Sequence, residues 1–97
     1  MPAYVIANAE VSDPGPYEAY KTGAAAAITQ HGGRYIVRGG HSEVVEGAFP
    51  GSRFVVIEFR DRAAANAFVT SAEYTAAKAH RQDAATMNMV IVEGVDP

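Results

Sequence analysis

Residues 3–11, AYVIANAEV, alternate cleanly: Val5, Ala7, Ala9 and Val11 fall on one side, Tyr4, Ile6, Asn8 and Glu10 on the other. A period of two with unlike faces predicts a strand. In the next stretch, SDPGPYEAY, Asp13 is placed to cap a helix, and Pro14 or Pro16 suits its first turn. Tyr17, Tyr20, Ala24, Ala27, Ile28 and His31 then recur at helical spacing, which predicts a helix over 16–31. Gly32 follows, where a left-handed residue would end it.

The segment GGRYIVRGG, residues 32–40, reads as a helix stop, a strand over 34–38 and a second glycine pair. Gly39 and Gly40 are expected to form a bulge in one long strand that resumes in SEVVEG, because bulges often need a residue at positive φ. AFPGS, 48–52, is a turn signalled by Pro50-Gly51. RFVVIEF, 53–59, is the strongest strand, rich in β-branched and aromatic residues. Asp61 is placed to cap a helix over RAAANAFV, which restarts at the capping-box pattern Thr70-Ser71-Ala72-Glu73 and runs to about residue 82. MNMVIVEG, 87–94, closes the chain as a strand. The order is β-α-β-β-α-β with the second helix broken, an α+β ferredoxin-like pattern with an antiparallel sheet. Right-handed crossovers put both helices on one face and leave the other open.

Strand parity assigns the faces. Val5, Ala7, Ala9, Tyr35, Val37, Val55, Ile57, Phe59, Met89 and Ile91 form an almost wholly apolar set that belongs under the helices. The opposite set mixes Tyr4, Ile6, Ile36, Phe54, Val56, Val90 and Val92 with Asn8, Arg38, Glu58 and Asn88. An exposed apolar area of that kind marks an interface. The expectation is a homodimer through the open sheet face, with Arg38 and Glu58 buried inside and paired with each other, since an unpaired buried charge is costly.

Composition narrows the function. The chain has 97 residues, expected to form a single domain over 1–97, and a net charge of −3. Lys and Arg never occur in runs, which argues against nucleic acid or an anionic membrane as partner. The absence of cysteine excludes disulfides and thiol nucleophiles. The start, MPAYVIANAEV, lacks the basic and apolar regions of a signal peptide, and no apolar run approaches the ~20 residues that span a bilayer. A cytoplasmic protein is expected. The three histidines, His31, His41 and His80, are scattered without the i, i+3 or i, i+4 spacing that builds a metal site, so no metal and no cofactor are expected.

The segments YVIANAEVSDPGPYEAY, GGRYIVRGG, FPGSRFVVIEF, SAEYTAAKAHRQ and VIVEG resemble the family known as domain of unknown function 1330 over nearly the whole chain, Tyr4 to Gly94. The resemblance implies a dimeric α/β-barrel, the ferredoxin-like fold doubled through its open face. It implies no reaction and carries over no catalytic residue. Families on the same barrel include cofactor-free monooxygenases, small-molecule isomerases and haem-binding enzymes, so the fold does not decide the function.

Two readings of the polar positions stay open. In one, the protein is a cofactor-independent isomerase or monooxygenase for a small acidic or enolisable compound. Arg38 holds the anion, Glu58 or His41 moves a proton, and Asn8 and Tyr4 orient the substrate; Tyr74, one helical turn from Lys78, belongs to a rim that admits it. In the other, the protein is a non-catalytic dimeric ligand-binding or accessory module, and the Arg38–Glu58 pair is structural.

Overall fold

The computed structural model describes residues 1–96. Its elements are β1 (Ala3–Val11), α1 (Pro14–Gln30), β2 (Arg34–Arg38), β3 (Arg53–Phe59), α2 (Arg62–Val69), α3 (Ala72–Ala79) and β4 (Ala85–Glu93). The strands make one antiparallel sheet in the order β2-β3-β1-β4, the ferredoxin-like topology. β1 is central, pairing with β3 from Ala3↔Phe59 to Ala9↔Arg53 and with β4 from Ala3↔Glu93 to Val11↔Ala85.

Local chemistry sets the helix ends. Asp13 accepts from the Gly15 amide at 3.2 Å, and α1 starts at Pro14, two residues before the sequence places it. Its other end is a Schellman turn: Gly32 at φ 76° donates to the Thr29 carbonyl, and Gly33 donates to that of Ile28. Asp61 accepts from the Ala64 amide at 2.8 Å and starts α2. The cap of α3 is Ser71 rather than Thr70; its Oγ accepts from the Tyr74 amide at 3.0 Å. The Thr70 hydroxyl instead donates back to the Asn66 carbonyl. Glu73 makes no capping box, because with Ser71 as the cap it stands one residue short of the box position; its carboxylate pairs with His31 Nε2, at the end of α1, at 3.1 Å. α3 ends at Ala79, so Gln82 lies beyond it, and β4 begins at Ala85, two residues earlier than its alternation shows.

The core lies between the sheet and the helices. Val5, Ile57 and Phe59 from the sheet meet Ile28, Phe68 and Tyr74 from the helices, all buried. Phe59 and Phe68 stack with ring centroids 5.4 Å apart. The opposite face has no helix over it; Ile36, Val37, Val90 and Val92 are exposed there.

Two expectations about the glycine pair fail. β2 ends at Arg38, and SEVVEG does not continue it; residues 39–52 form an irregular loop. The bulge lies inside β2, not at the glycines. Tyr35 pairs with Ile57, but Val37 pairs with Val56 and Arg38 with Val55, so Ile36 is the extra residue. Parity therefore reverses halfway along the strand. Val37 joins the open face and is 40% exposed, whereas Arg38 turns to the helix side with Val55.

Candidate functional site

That reversal separates residues the sequence groups together. Glu58 faces the open side, where Arg34 Nε donates to its Oε1 at 2.8 Å and the Tyr4 hydroxyl donates to its Oε2 at 3.3 Å. The expected Arg38–Glu58 pair does not form. Arg34 replaces Arg38 because the register sets Arg34 directly opposite Glu58 on the neighbouring strand. Arg38 instead lies over the Tyr35 ring, its guanidinium carbon 4.3 Å from the ring centroid.

On the helix side Arg38 lines a cavity between the sheet and α1. Tyr17 and Tyr20 from α1, Tyr35 from β2, Arg53 and Val55 from β3, and Met87 and Met89 from β4 form much of its wall. Its volume is about 30 Å³, room for a water or two in this conformation. The charged groups on the wall are Arg38, Arg53 and Lys21; no carboxylate or imidazole stands among its residues. Lys21 is neutralised by Glu18 at 2.7 Å. Among the described residues neither Arg38 nor Arg53 has an acidic partner.

Arg53 is held in place. Its Nε is buried without a protein acceptor, and its guanidinium carbon is 5.9 Å from the centroid of the Tyr17 ring. Gly39, at φ 69°, packs its backbone against that guanidinium so closely that a Cβ there would collide with Nη1. The loop is tied down here, since the Gly39 amide donates to the Phe54 carbonyl at 2.8 Å.

Tyrosine chemistry follows from this packing. Burial raises the Tyr35 phenol above its ordinary value, and the positive charges of Arg38 and Arg53 only partly counter it. Burial, followed by the neighbouring Tyr74, pushes Tyr20 up strongly. Both phenols are neutral donors at physiological pH. The Tyr20 and Tyr74 hydroxyls share a hydrogen bond of 3.0 Å below the cavity, with the sulfurs of Met87 and Met89 as further acceptors.

The remaining candidates are dispersed. Asn8 is a clamp: its Oδ1 accepts from the Gly51 amide and its Nδ2 donates to the Gly51 carbonyl, both at 2.9 Å. Tyr74 is buried in the core, and Tyr4 lies on the open face. His41 sits exposed in the loop. Arg53 and the tyrosine wall are absent from the sequence-derived set. The signal for Arg53 is present, because residues 53, 55, 57 and 59 share one parity, Ile57 and Phe59 are core and Val55 packs against it. Among the described residues no cluster of three or more metal-ligating side chains occurs, and no helix is long and apolar enough to cross a membrane.

Comparison with known proteins accords with this architecture. Residues 2–95 match the model of the family described as domain of unknown function, DUF1330, and the chain belongs to that family. No curated protein matches the sequence. A crystal structure of a protein of unknown function from Rhodopseudomonas palustris superposes with a TM-score of 0.77 at 17% identity, over 99% of this chain and 84% of that one. SnoaB, a cofactor-independent oxygenase from Streptomyces nogalater, gives 0.64 at 10% identity, over 99% and 95%. A dimeric ferredoxin-like protein of unknown function from Jannaschia gives 0.64 at 15%, over 97% and 100%. At these identities the likeness is one of fold.

Proposed function

We propose that this DUF1330 member is a homodimer whose subunits each bind a small acidic or enolisable compound in the cavity between sheet and α1, and that it acts on that compound without a cofactor. The observation that carries the reading is the pairing of two guanidinium groups, Arg38 and Arg53, with an aromatic wall that offers them no carboxylate. Such a wall favours a flat anion: cations hold the charged oxygens, the rings take up the apolar body, and the neutral Tyr35 phenol donates a hydrogen bond.

Of the two chemistries considered, oxygenation fits better than isomerisation. Isomerisation needs a base placed to move a proton, and the wall has no carboxylate or imidazole. Glu58 is engaged on the other face, and His41 would have to be carried in by its loop. An enol beside two guanidinium groups ionises more readily, giving its proton to water, and the enolate can then pass electrons to dioxygen, which is reduced as it bonds to the enolate carbon. SnoaB, a cofactor-independent oxygenase of the same fold, is in keeping with this.

Dimerisation rests on the open face, where Ile36, Val37, Val90 and Val92 lie uncovered beside the Tyr4–Glu58–Arg34 cluster. Glu58 and Tyr4 then work at the interface, and Asn8 and Tyr74 hold the scaffold. The dimeric protein from Jannaschia has the same fold.

Thermal-shift screening of aromatic acids and enols against wild type and Arg38→Ala tests the binding, since a ligand that binds only the native state raises apparent stability. Stabilisation of wild type is expected, with a smaller shift in Arg38→Ala, where Arg53 remains. Oxygen uptake with the stabilising enols then tests the chemistry. The non-catalytic module has one observation in its favour, the same lack of a proton-transfer group, and binding without oxygen uptake would establish it.

A further inference from the structure

We infer that Arg53 is the fixed anchor of the site and that it selects an aromatic carboxylate, with Gly39 as the residue that positions it. This rests on the cavity being the ligand site.

The two arginines are not equivalent. Arg38 is exposed and stacks on one face of Tyr35, so it can swing. Arg53 is confined by its buried Nε, the Tyr17 ring beside it and the Gly39 backbone against its terminal nitrogens. A guanidinium confined in this way keeps its donor edge in one orientation. Ordering entropy has then been spent in folding rather than at binding. Its Nε–H has no protein acceptor, whereas Arg34, on the open face, has spent its Nε–H on Glu58.

A carboxylate suits this geometry. Its two oxygens accept in one plane from the Nε–H and Nη–H of a single guanidinium, the bidentate arrangement that a lone enolate oxygen or a neutral amide cannot reproduce. An aromatic body suits the rest, because Tyr17, Tyr20 and Tyr35 line the cavity with aromatic rings and Met87 and Met89 with adaptable thioethers. The cavity is small as it stands, so a ring enters only if Arg38, an exposed member of the wall, moves aside while Arg53 stays in place.

Gly39 makes the confinement possible. Its positive φ disfavours any side chain, and a Cβ would collide with Arg53 Nη1. Gly39→Ala therefore moves the guanidinium without removing its charge.

The test is isothermal titration of the purified protein with benzoate and with its neutral analogue benzamide. Wild type, Arg53→Ala, Arg53→Lys and Gly39→Ala are compared, with circular dichroism as the check on folding. Wild type is expected to prefer benzoate by about tenfold or more, the worth of a charge-assisted bond in a partly dry site. Arg53→Ala is expected to lose that preference while still binding benzamide. Arg53→Lys and Gly39→Ala are expected to keep part of it, because charge survives but the planar fork or its placement does not. Should Arg53→Ala fail to fold, the lysine variant decides, and a full preference there would overturn the inference. Equal binding of both compounds by wild type would refute carboxylate selection and leave the cavity as the ligand site. Binding of neither would overturn both readings.

Discussion

Arg38 and Glu58 face opposite sides of the sheet, although their strands pair and both residues fall in the same alternation by sequence. The single extra residue in β2, Ile36, is responsible. It sends Arg38 toward α1 and leaves Glu58 to Arg34. The Arg38 guanidinium on the helix side and the Glu58 carboxylate on the open face are thereby kept apart by the thickness of one sheet.

If the open face is a subunit interface, a charge placed in its middle will split the dimer. Val56 lies on that face opposite Val37 and Ile6. Wild type is expected to scatter light as a dimer at micromolar concentration. Val56→Glu is expected to run as a monomer or to aggregate, because a buried unpaired carboxylate is costly.

Asn8, expected from the sequence to orient substrate, is bonded to Gly51 and clamps the loop. Asn8→Ala leaves the Gly51 amide and carbonyl without those partners. It is expected to cost about 1–3 kcal/mol in urea denaturation. The benzoate preference should survive, since Asn8 is absent from the cavity wall.

The broken second helix depends on the Ser71 cap. Ser71→Ala is expected to lower stability by about 1 kcal/mol, and Thr70→Ala by less, because only Ser71 Oγ accepts from an amide of α3. Urea titration of the two variants gives the comparison.

Most of the fold was legible because alternation and helical spacing report burial directly. β1 and β3, with uninterrupted registers, came out with their faces assigned. Alternation cannot report a bulge that lacks glycine. Ile36 looks like any strand residue, while Gly39 and Gly40 attract the bulge by their backbone freedom. One misplaced residue then put Val37 and Arg38 on the wrong faces and paired Arg38 with the wrong acid. Arg53 was overlooked for a different reason. Its parity marked it as core-facing, but a cation at the start of an apolar strand reads as a solvated end until the Tyr17 ring and Gly39 are seen around it.

Alkaline pH should destabilise the protein through its tyrosines. The folded phenols of Tyr20 and Tyr35 lie above the unfolded value of 10.0, so below that pH both states hold the proton and stability is undiminished. Above it the unfolded chain loses protons that the folded chain retains, and stability falls as pH rises. The melting temperature is expected to decline above about pH 10, with a shallower decline in Tyr20→Phe at matched ionic strength.

The most direct measurement is of the arginine side chains themselves. In ¹⁵N-edited spectra of the Nε–H groups, added benzoate is expected to shift the Arg53 resonance and slow its exchange with water, while Arg34, already bonded to Glu58, stays where it is. A stationary Arg53 signal with movement at Arg34 would put the ligand on the open face and contradict the helix-side site.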